Sequence, residues 1–462
     1  MRSLTVLSSA DMFTMAFILG VSFLAPTGAK AQSAGNNAVY YYTTANPGVC
    51  CTNSAAFIDA SVFTASFPNV CGILHGILTG VSSAGAVIDA RGLNSSNTSM
   101  TCTASPWGSG SSYLNVPSTI LLPATTATVP IQIPTPWILP NNTRLIGQGD
   151  GIPTSTTAPI TKIQASSSFS GNMIQFGSSA CPSIGGVPVC SGISVENLTL
   201  DGQGGSINGI VNQSSQDFSY VDHVSLYQIR STGLLVSTSA NNSGPYSNIT
   251  FDTGGYAGTS ETVCAQINGL SGTHGLHGLS CTSETNDAPA AVLLDSSNNS
   301  ISDVGIVGFY DGVLVGANAS AQSNVLRNII GDTTHPSGLT PVNTVHISNN
   351  HTVTDLSIMG FSNSGVSGTY TLEDDVTGPH LSDAIVGVYA LGEKDSVTGG
   401  YSRYTTSPNL PTWAVGTNSP PSGSCIRGSL YSCIGGNSSC KIGSGTTYAL
   451  WDCLSSGWTG VK

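Results

Sequence analysis

Two aspartates, Asp201 and Asp252, occupy the same point of a repeating sequence pattern, with Tyr227 at that point of the copy between them and Arg230 three residues further on. If each copy is one coil of a stack, the two aspartates lie two coils apart, with backbones about 9–10 Å from each other. That range overlaps the carboxyl separation of about 6.5–9.5 Å at which one acid protonates a leaving glycosidic oxygen while the other activates water. Asp201, Asp252, Tyr227 and Arg230 are therefore the candidate catalytic group. The competing reading is structural: Asp201-Gly202 makes an ordinary turn, and Asp252 before Thr253-Gly254-Gly255 can cap a bend. The run Glu373, Asp374, Asp375 offers hard oxygen ligands for calcium, although neighbouring acids in a loop are commonly just solvated. His274 and His277 flank Gly275-Leu276 and read as surface residues before acid-base groups.

The pattern that positions these residues is h-x-x-h-x-h, with h an apolar or small residue. Its copies begin at Val195, Val221, Tyr246, Leu276, Ile301, Leu326, Val353 and Leu381, spaced 25–30 residues apart. Alternation within each copy is that of a strand, and a period in this range marks a solenoid. Second short strands lie between copies, as in 209–211, 233–236, 291–294, 312–315 and 344–347. Just before the second h stand Asn197, His223, Asn248, Gly278, Asp303, Asn328, Asp355 and Asp383, nearly all residues that tolerate a left-handed backbone at a sharp bend. Stacked at about 4.8 Å, such side chains can hydrogen-bond as a ladder. The fold expected is an all-β, right-handed parallel β-helix of about ten coils.

An open solenoid end exposes both core and strand edges, so caps are expected. At the N-terminal side, residues 54–63 (SAAFIDASVF) suggest a short amphipathic helix, followed by a strand at 86–89. The organisation expected is a signal peptide at 1–31, a cap region at 32–84, the β-helix at 85–395, a Pro/Ser/Thr-rich linker at 396–424 and a small Cys-rich β module at 425–462. So small a module needs disulfides or a partner surface. Cys425 with Cys453 around Cys433 with Cys440 is one pairing among several that the spacing allows.

Composition and charge narrow the function. The chain opens with Arg2, an apolar run from Met12 to Ala25 and Ala29-Lys30-Ala31, the layout of an export signal, and the run is too short to span a bilayer. All 12 cysteines follow it, which suits an oxidising compartment, and no C-x-x-C pair suggests a zinc site. The expected location is therefore secreted, whether extracellular, periplasmic or at the cell surface, with no membrane insertion. Only 8% of residues are charged, yet 39% are hydrophobic, so the chain can bury a core. A net charge of −12 excludes nucleic acid as a natural partner. It also repels a polyanionic glycan at long range, unless bound calcium reverses the local field.

Leu139-Pro140-Asn141-Asn142-Thr143-Arg144-Leu145-Ile146-Gly147-Gln148-Gly149, then Met173-Ile174-Gln175-Phe176, then Val195-Glu196-Asn197-Leu198-Thr199-Leu200-Asp201-Gly202 resemble the entry coils of pectate-lyase superfamily proteins related to family 28 glycoside hydrolases. The resemblance spans roughly residues 85–395. It implies the β-helix and a polysaccharide partner, but no single activity, because such coils carry hydrolases, lyases, epimerases and non-catalytic proteins. Two departures stand out. The superfamily's usual N-terminal G-D-G-x-x-D-D-T stretch is missing. The family 28 order N-x-D, D-D, G-H-G, R-x-K is also broken, since Asp374-Asp375 follows Thr273-His274-Gly275 and no R-x-K comes after. In this superfamily elimination commonly pairs an arginine with calcium, and residues 192–391 contain only Arg230 and Arg327, four coils apart.

The function expected is thus a secreted carbohydrate-active protein that binds and hydrolyses a polysaccharide along the solenoid face, with no cofactor required. The alternatives are a non-catalytic surface, adhesion or structural β-helix protein and a calcium-dependent polysaccharide lyase. A homo-oligomer is open, since tailspike trimers share the architecture.

Overall fold

The structure, a computed structural model, describes residues 56–375 apart from 82–84, 127, 152–159, 185, 238–241, 269–271, 285–287, 332–341 and 363–369. Beyond these it describes the strands Ala384–Val388, Ser396–Val397, Trp413–Gly416, Leu430–Cys433, Leu450–Leu454 and Gly457–Gly460. The chain divides into Met1–Tyr40 and Tyr41–Lys462. The expected signal peptide, Cys50 and Cys51 fall outside the described residues.

Most strands fall into two parallel sheets, and from Ser194 onward the long ones alternate between them. The first has 14 strands, and its central path runs through Ser194–Gly205, Tyr220–Ile229, Tyr246–Asp252, Leu276–Thr282, Ser300–Val307, Val325–Gly331 and Ser357–Ser362. The second has 10 strands, including Asn208–Asn212, Thr232–Ser237, Val263–Asn268, Ala290–Asp295, Asp311–Val315, Asn343–Ile347 and Tyr370–Asp374. From Ser194–Gly205 to Ser396–Val397 each turn of chain contributes one strand to each sheet. Parallel neighbours reached by such crossovers wind right-handed, so the chain is the all-β, right-handed parallel β-helix expected from its repeats.

The repeat accounts for the interior. Val195, Val221, Tyr246, Leu276, Ile301 and Leu326 pair in register from strand to strand, and each is fully buried. The residues before the second h bend each strand: Asn197, His223, Asn248, Gly278, Asp303 and Asn328 all have φ between 52° and 67°. An ordinary side chain pays for that region, whereas Asn, Asp and Gly enter it readily. The ladder is hydrogen-bonded in part. Asn328 Nδ2 donates to Asp303 Oδ1 at 2.8 Å, while Asn248 Nδ2 donates to Asp222 Oδ1 at 2.8 Å, beside His223.

Three details differ from the sequence expectation. The last copies are out of register: Leu326 pairs with Ile358 and Ile358 with Ile385, not with Val353 and Leu381. Gly360 (φ 65°) then takes the corner position opposite Asn328, and Val353 sits in a separate two-residue strand paired with Ala321–Gln322. Both Val353 and Ile358 begin an apolar pattern, and register is set by the neighbouring strand rather than by the pattern alone.

The cap also differs. Ala56–Asp59 is the first strand of the first sheet, in register with Ala86–Asp89, and Ala60–Phe63 is a 3-10 turn. The α-helix is Val70–Gly80, capped by Asn69, whose side chain accepts from the Gly72 amide at 2.9 Å. It buries Val70, Ile73, Leu74, Ile77 and Leu78 along one stripe, and a disulfide joins Cys71 to Cys102. Three glycines in the helix lower its propensity and hide it from a local reading.

At the C-terminal side, Trp413–Gly416, inside the stretch read as linker, pairs with Leu430–Cys433 in a four-stranded sheet. Tyr431, Cys433, Trp451 and Trp458 form its small apolar cluster. Cys433 and Cys453 are both in disulfides, while Cys425 and Cys440 lie outside the described residues. Further disulfides join Cys181–Cys190 and Cys264–Cys281. Among the described residues no helix is long and apolar enough to cross a membrane.

Candidate functional site on the second sheet

The first sheet brings three of the four sequence candidates into one file. Asp201 pairs with Tyr227 and Tyr227 with Asp252. Asp201, however, is 1% exposed and is engaged by Lys162 Nζ at 2.7 Å, by Gln164 Nε2 at 3.0 Å and by the Gln203 amide at 2.9 Å. Asp252 Oδ1 accepts from the Gly254 amide at 2.7 Å, the bend-capping role. Burial, aided by the charges of Asp252 and Asp201, raises the Tyr227 phenol above its usual range. Arg230 turns aside, its Nε donating to the Ala257 carbonyl at 3.1 Å. His277 lies between the Ser302 hydroxyl and the His274 carbonyl.

Of Glu373, Asp374 and Asp375, only the outer two reach a common place, because consecutive strand residues face opposite sides. Asp374 is fully buried, in register with Ile347 of the core. Glu373 and Asp375 emerge on the outer face of the second sheet, where they meet residues that the sequence reading did not single out. His346 Nδ1 stands 2.9 Å from Asp311 Oδ2 and 3.9 Å from Glu373 Oε2, and its Nε2 stands 3.1 Å from Asp375 Oδ2. Asn343, fully buried and in register with Asp311, donates from Nδ2 to Asp311 Oδ1 at 2.8 Å and to Glu373 Oε2. Its Oδ1 is buried and accepts no hydrogen bond.

Burial alone would favour a neutral His346 ring, and it is the largest single influence. The hydrogen bonds and charges of Asp311, Asp375 and Glu373 together outweigh it and raise the imidazole to about 9. The cluster is graded from core to solvent: side-chain exposure is 4% at Asp311, 16% at His346, 26% at Glu373 and 43% at Asp375. A proton donor and acceptors thus stand at a surface, anchored from beneath.

One outward file runs straight into this cluster. Leu235, Gln266, Leu293, Leu314, His346 and Glu373 pair in succession across six strands. The first four line a groove of about 530 Å³, together with Asn208, Ser231, Thr232, Ser260, Glu261, Val263, Pro289, Ala290, Ala317 and Asn318. Apolar side chains alternate there with hydroxyls and amides, and among the described residues Glu261 is the one charged residue of the lining.

The sequence contained a signal for this site. Asp311-Gly-Val-Leu-Val, Asn343-Thr-Val-His-Ile and Tyr370-Thr-Leu-Glu-Asp are successive second strands, the first two opening on Asp and Asn and the last two carrying His and Glu at the outward position. The repeat pattern h-x-x-h-x-h marks only the first-sheet strands, so these second strands carry no periodic signature of their own.

No protein-family model and no curated protein matches the chain. Similar solved structures include an alginate lyase from Paenibacillus sp. str. FPU-7, with TM-score 0.36 and 11% identity over 69% of this chain and 92% of that one. The mannuronan C-5 epimerase AlgE4 A-module of Azotobacter vinelandii scores 0.24 at 14% identity, covering 59% of this chain and 91% of its own. The catalytic domain of a GH87 alpha-1,3-glucanase scores 0.23 at 10% identity, covering 69% and 67%. At such identities and scores no residue role passes from them to this chain, and the tie to family 28 hydrolases in particular is not carried further.

Proposed function

We propose that the protein is a secreted, carbohydrate-active hydrolase that lays an extended, uncharged glycan in the groove over the second sheet and acts on it at the Asp311–His346–Glu373–Asp375 cluster. The observation that carries this reading is the shared file. The groove floor formed by Leu235, Gln266, Leu293 and Leu314 continues in register into His346 and Glu373. Strand neighbours about 4.8 Å apart give that file a length of roughly 24 Å, enough for several sugar units in line.

The lining suits the apolar faces and hydroxyl edges of sugar rings. Leu235, Leu293 and Leu314 offer flat apolar contact, and Asn208, Thr232, Gln266 and Asn318 offer donors and acceptors. Among the described residues the groove lining contains no lysine or arginine, so a uronate carboxylate lying in the groove would meet Glu261 with no counter-charge short of His346. Elimination requires such a carboxylate beside the abstracted proton, and hydrolysis does not. That favours hydrolysis over the lyase alternative. Hydrolysis calls for one group that protonates the leaving oxygen and one that activates water. Glu373 and Asp375 are the more exposed carboxylates of the cluster, and Asp311 with Asn343 holds His346 and Glu373 in place.

Asp201 is already neutralised beneath the surface by Lys162, which favours the second sheet over the first-sheet group. Secretion fits the disulfides at 71–102, 181–190 and 264–281.

The test is a panel of neutral and uronate glycans assayed for new reducing ends, for unsaturated uronate products and for binding. Reducing ends from a neutral glycan are expected. Leu293→Asp should abolish both binding and turnover, whereas Glu373→Gln should lower turnover at least a hundredfold with binding kept. Binding without release from any glycan would leave the non-catalytic adhesion reading in place. Unsaturated products from a uronate polymer would replace hydrolysis with elimination.

A further inference from the structure

We propose that Asp311, His346 and Glu373 form a binding site for a first-row divalent cation of the zinc type, independently of what occupies the groove. One ligand atom from each of the three lies within 4.8 Å of the other two. Zinc bonds to nitrogen and oxygen of about 2.0–2.2 Å place tetrahedral ligands about 3.4 Å apart. The distances from His346 Nδ1 bracket that value, at 2.9 Å to Asp311 and 3.9 Å to Glu373.

Two observations beyond the donor set point to a cation. The first is Asn343, fully buried, whose Oδ1 accepts no hydrogen bond while its Nδ2 reaches both Asp311 and Glu373. A half-turn of the amide brings that unused oxygen to the point between the two carboxylates, where a fourth ligand belongs. The second is Asp375, whose Oδ2 stands 3.1 Å from His346 Nε2, the nitrogen left over once Nδ1 binds metal. A carboxylate holding the far nitrogen of a metal-bound imidazole is the usual outer support of such sites. Charge agrees with geometry. Among the described residues, no lysine or arginine forms an ion pair with Asp311, Glu373 or Asp375.

An imidazole among the ligands favours zinc and its later first-row neighbours over calcium and magnesium, which take oxygen shells. This differs from the calcium expected at Glu373, Asp374 and Asp375, since Asp374 is turned into the core.

The experiment is calorimetric titration of chelator-treated, disulfide-intact full-length protein with zinc chloride, paired with thermal unfolding and no glycan present. One saturable site and a rise in the unfolding midpoint are expected. His346→Gln and Asp311→Asn should lose the site, and Asp375→Asn should weaken it about 10–100-fold. Asp252→Asn should bind as wild type. Cobalt should give a visible spectrum without thiolate absorption, which separates this site from stray cysteine binding. No saturable zinc binding by the wild type would overturn the proposal, as would full binding by folded His346→Gln. Displacement of zinc by equimolar calcium would also overturn it. Because no sugar is present, failure here leaves the glycan reading standing, and loss of glycan turnover leaves this one standing.

Discussion

At the scale of single residues, the buried ion pair of Lys162 and Asp201 shows how a carboxylate with a catalytic spacing can be structural. Both side chains are almost fully buried, at 6% and 2% exposure. Truncating one partner strands a charge in the interior, a loss of about 3–5 kcal/mol, whereas an apolar pair of similar volume is close to neutral. Lys162→Met should therefore lower the denaturant midpoint sharply, and adding Asp201→Leu should restore much of it. Equal losses in the single and double variants would show that the pair is not coupled. Sequence could place Asp201 in its file but not reveal this partner. Lys162 arrives from the flanking strand Lys162–Ala165, paired to Asp201 through Gln164, and no periodicity announces that pairing. The same holds for His346, whose neighbours Asp311 and Glu373 come from adjacent coils.

At the scale of elements, the bends within the first-sheet strands carry a pH signature. Asp222 is partly buried, which by itself would raise its carboxyl. Hydrogen bonds from Ser247, Asn248 and His223 outweigh this and hold it below the usual range. A carboxyl lowered in the folded state stabilises above its unfolded value, and that contribution fades as pH falls through the folded one. Asp222→Ala should cost about 1–3 kcal/mol at neutral pH. The gap to wild type should narrow as pH falls below the ordinary aspartate value of about 3.9, as read by thermal unfolding across pH. A gap independent of pH would mean that the lost contacts are not charge-assisted. This corner was legible in sequence as a row of Asn, Asp and Gly. The helix Val70–Gly80 was not, because its glycines argue against it until its apolar stripe is seen packed on the first coils.

At the scale of the whole molecule, the repeat from Val195 to Leu326 was legible because each coil repeats one short-range rule. The coils after Leu326 were not, because the chain between Gly331 and Asn343 lengthens one of them, so the next apolar match in sequence is not the next in space. Stacked coils share one core, and Cys264–Cys281 ties the second-sheet strand Val263–Asn268 to the following first-sheet strand Leu276–Thr282. Closing a loop of 17 residues is worth about 3 kcal/mol. Paired Cys264→Ala and Cys281→Ala substitutions should lower the unfolding free energy by about that amount, with the β-sheet circular dichroism of the native state unchanged. Loss of that signal would instead make the bond a requirement for folding.

The central claim is that the outer face of the second sheet, not the Asp201 file, is where a glycan is bound and cleaved. Reducing-end release from a neutral glycan, compared between Glu373→Gln and Asp252→Asn, tests it most directly. The account predicts at least a hundredfold loss in Glu373→Gln and near-normal turnover in Asp252→Asn; the opposite pattern would contradict it.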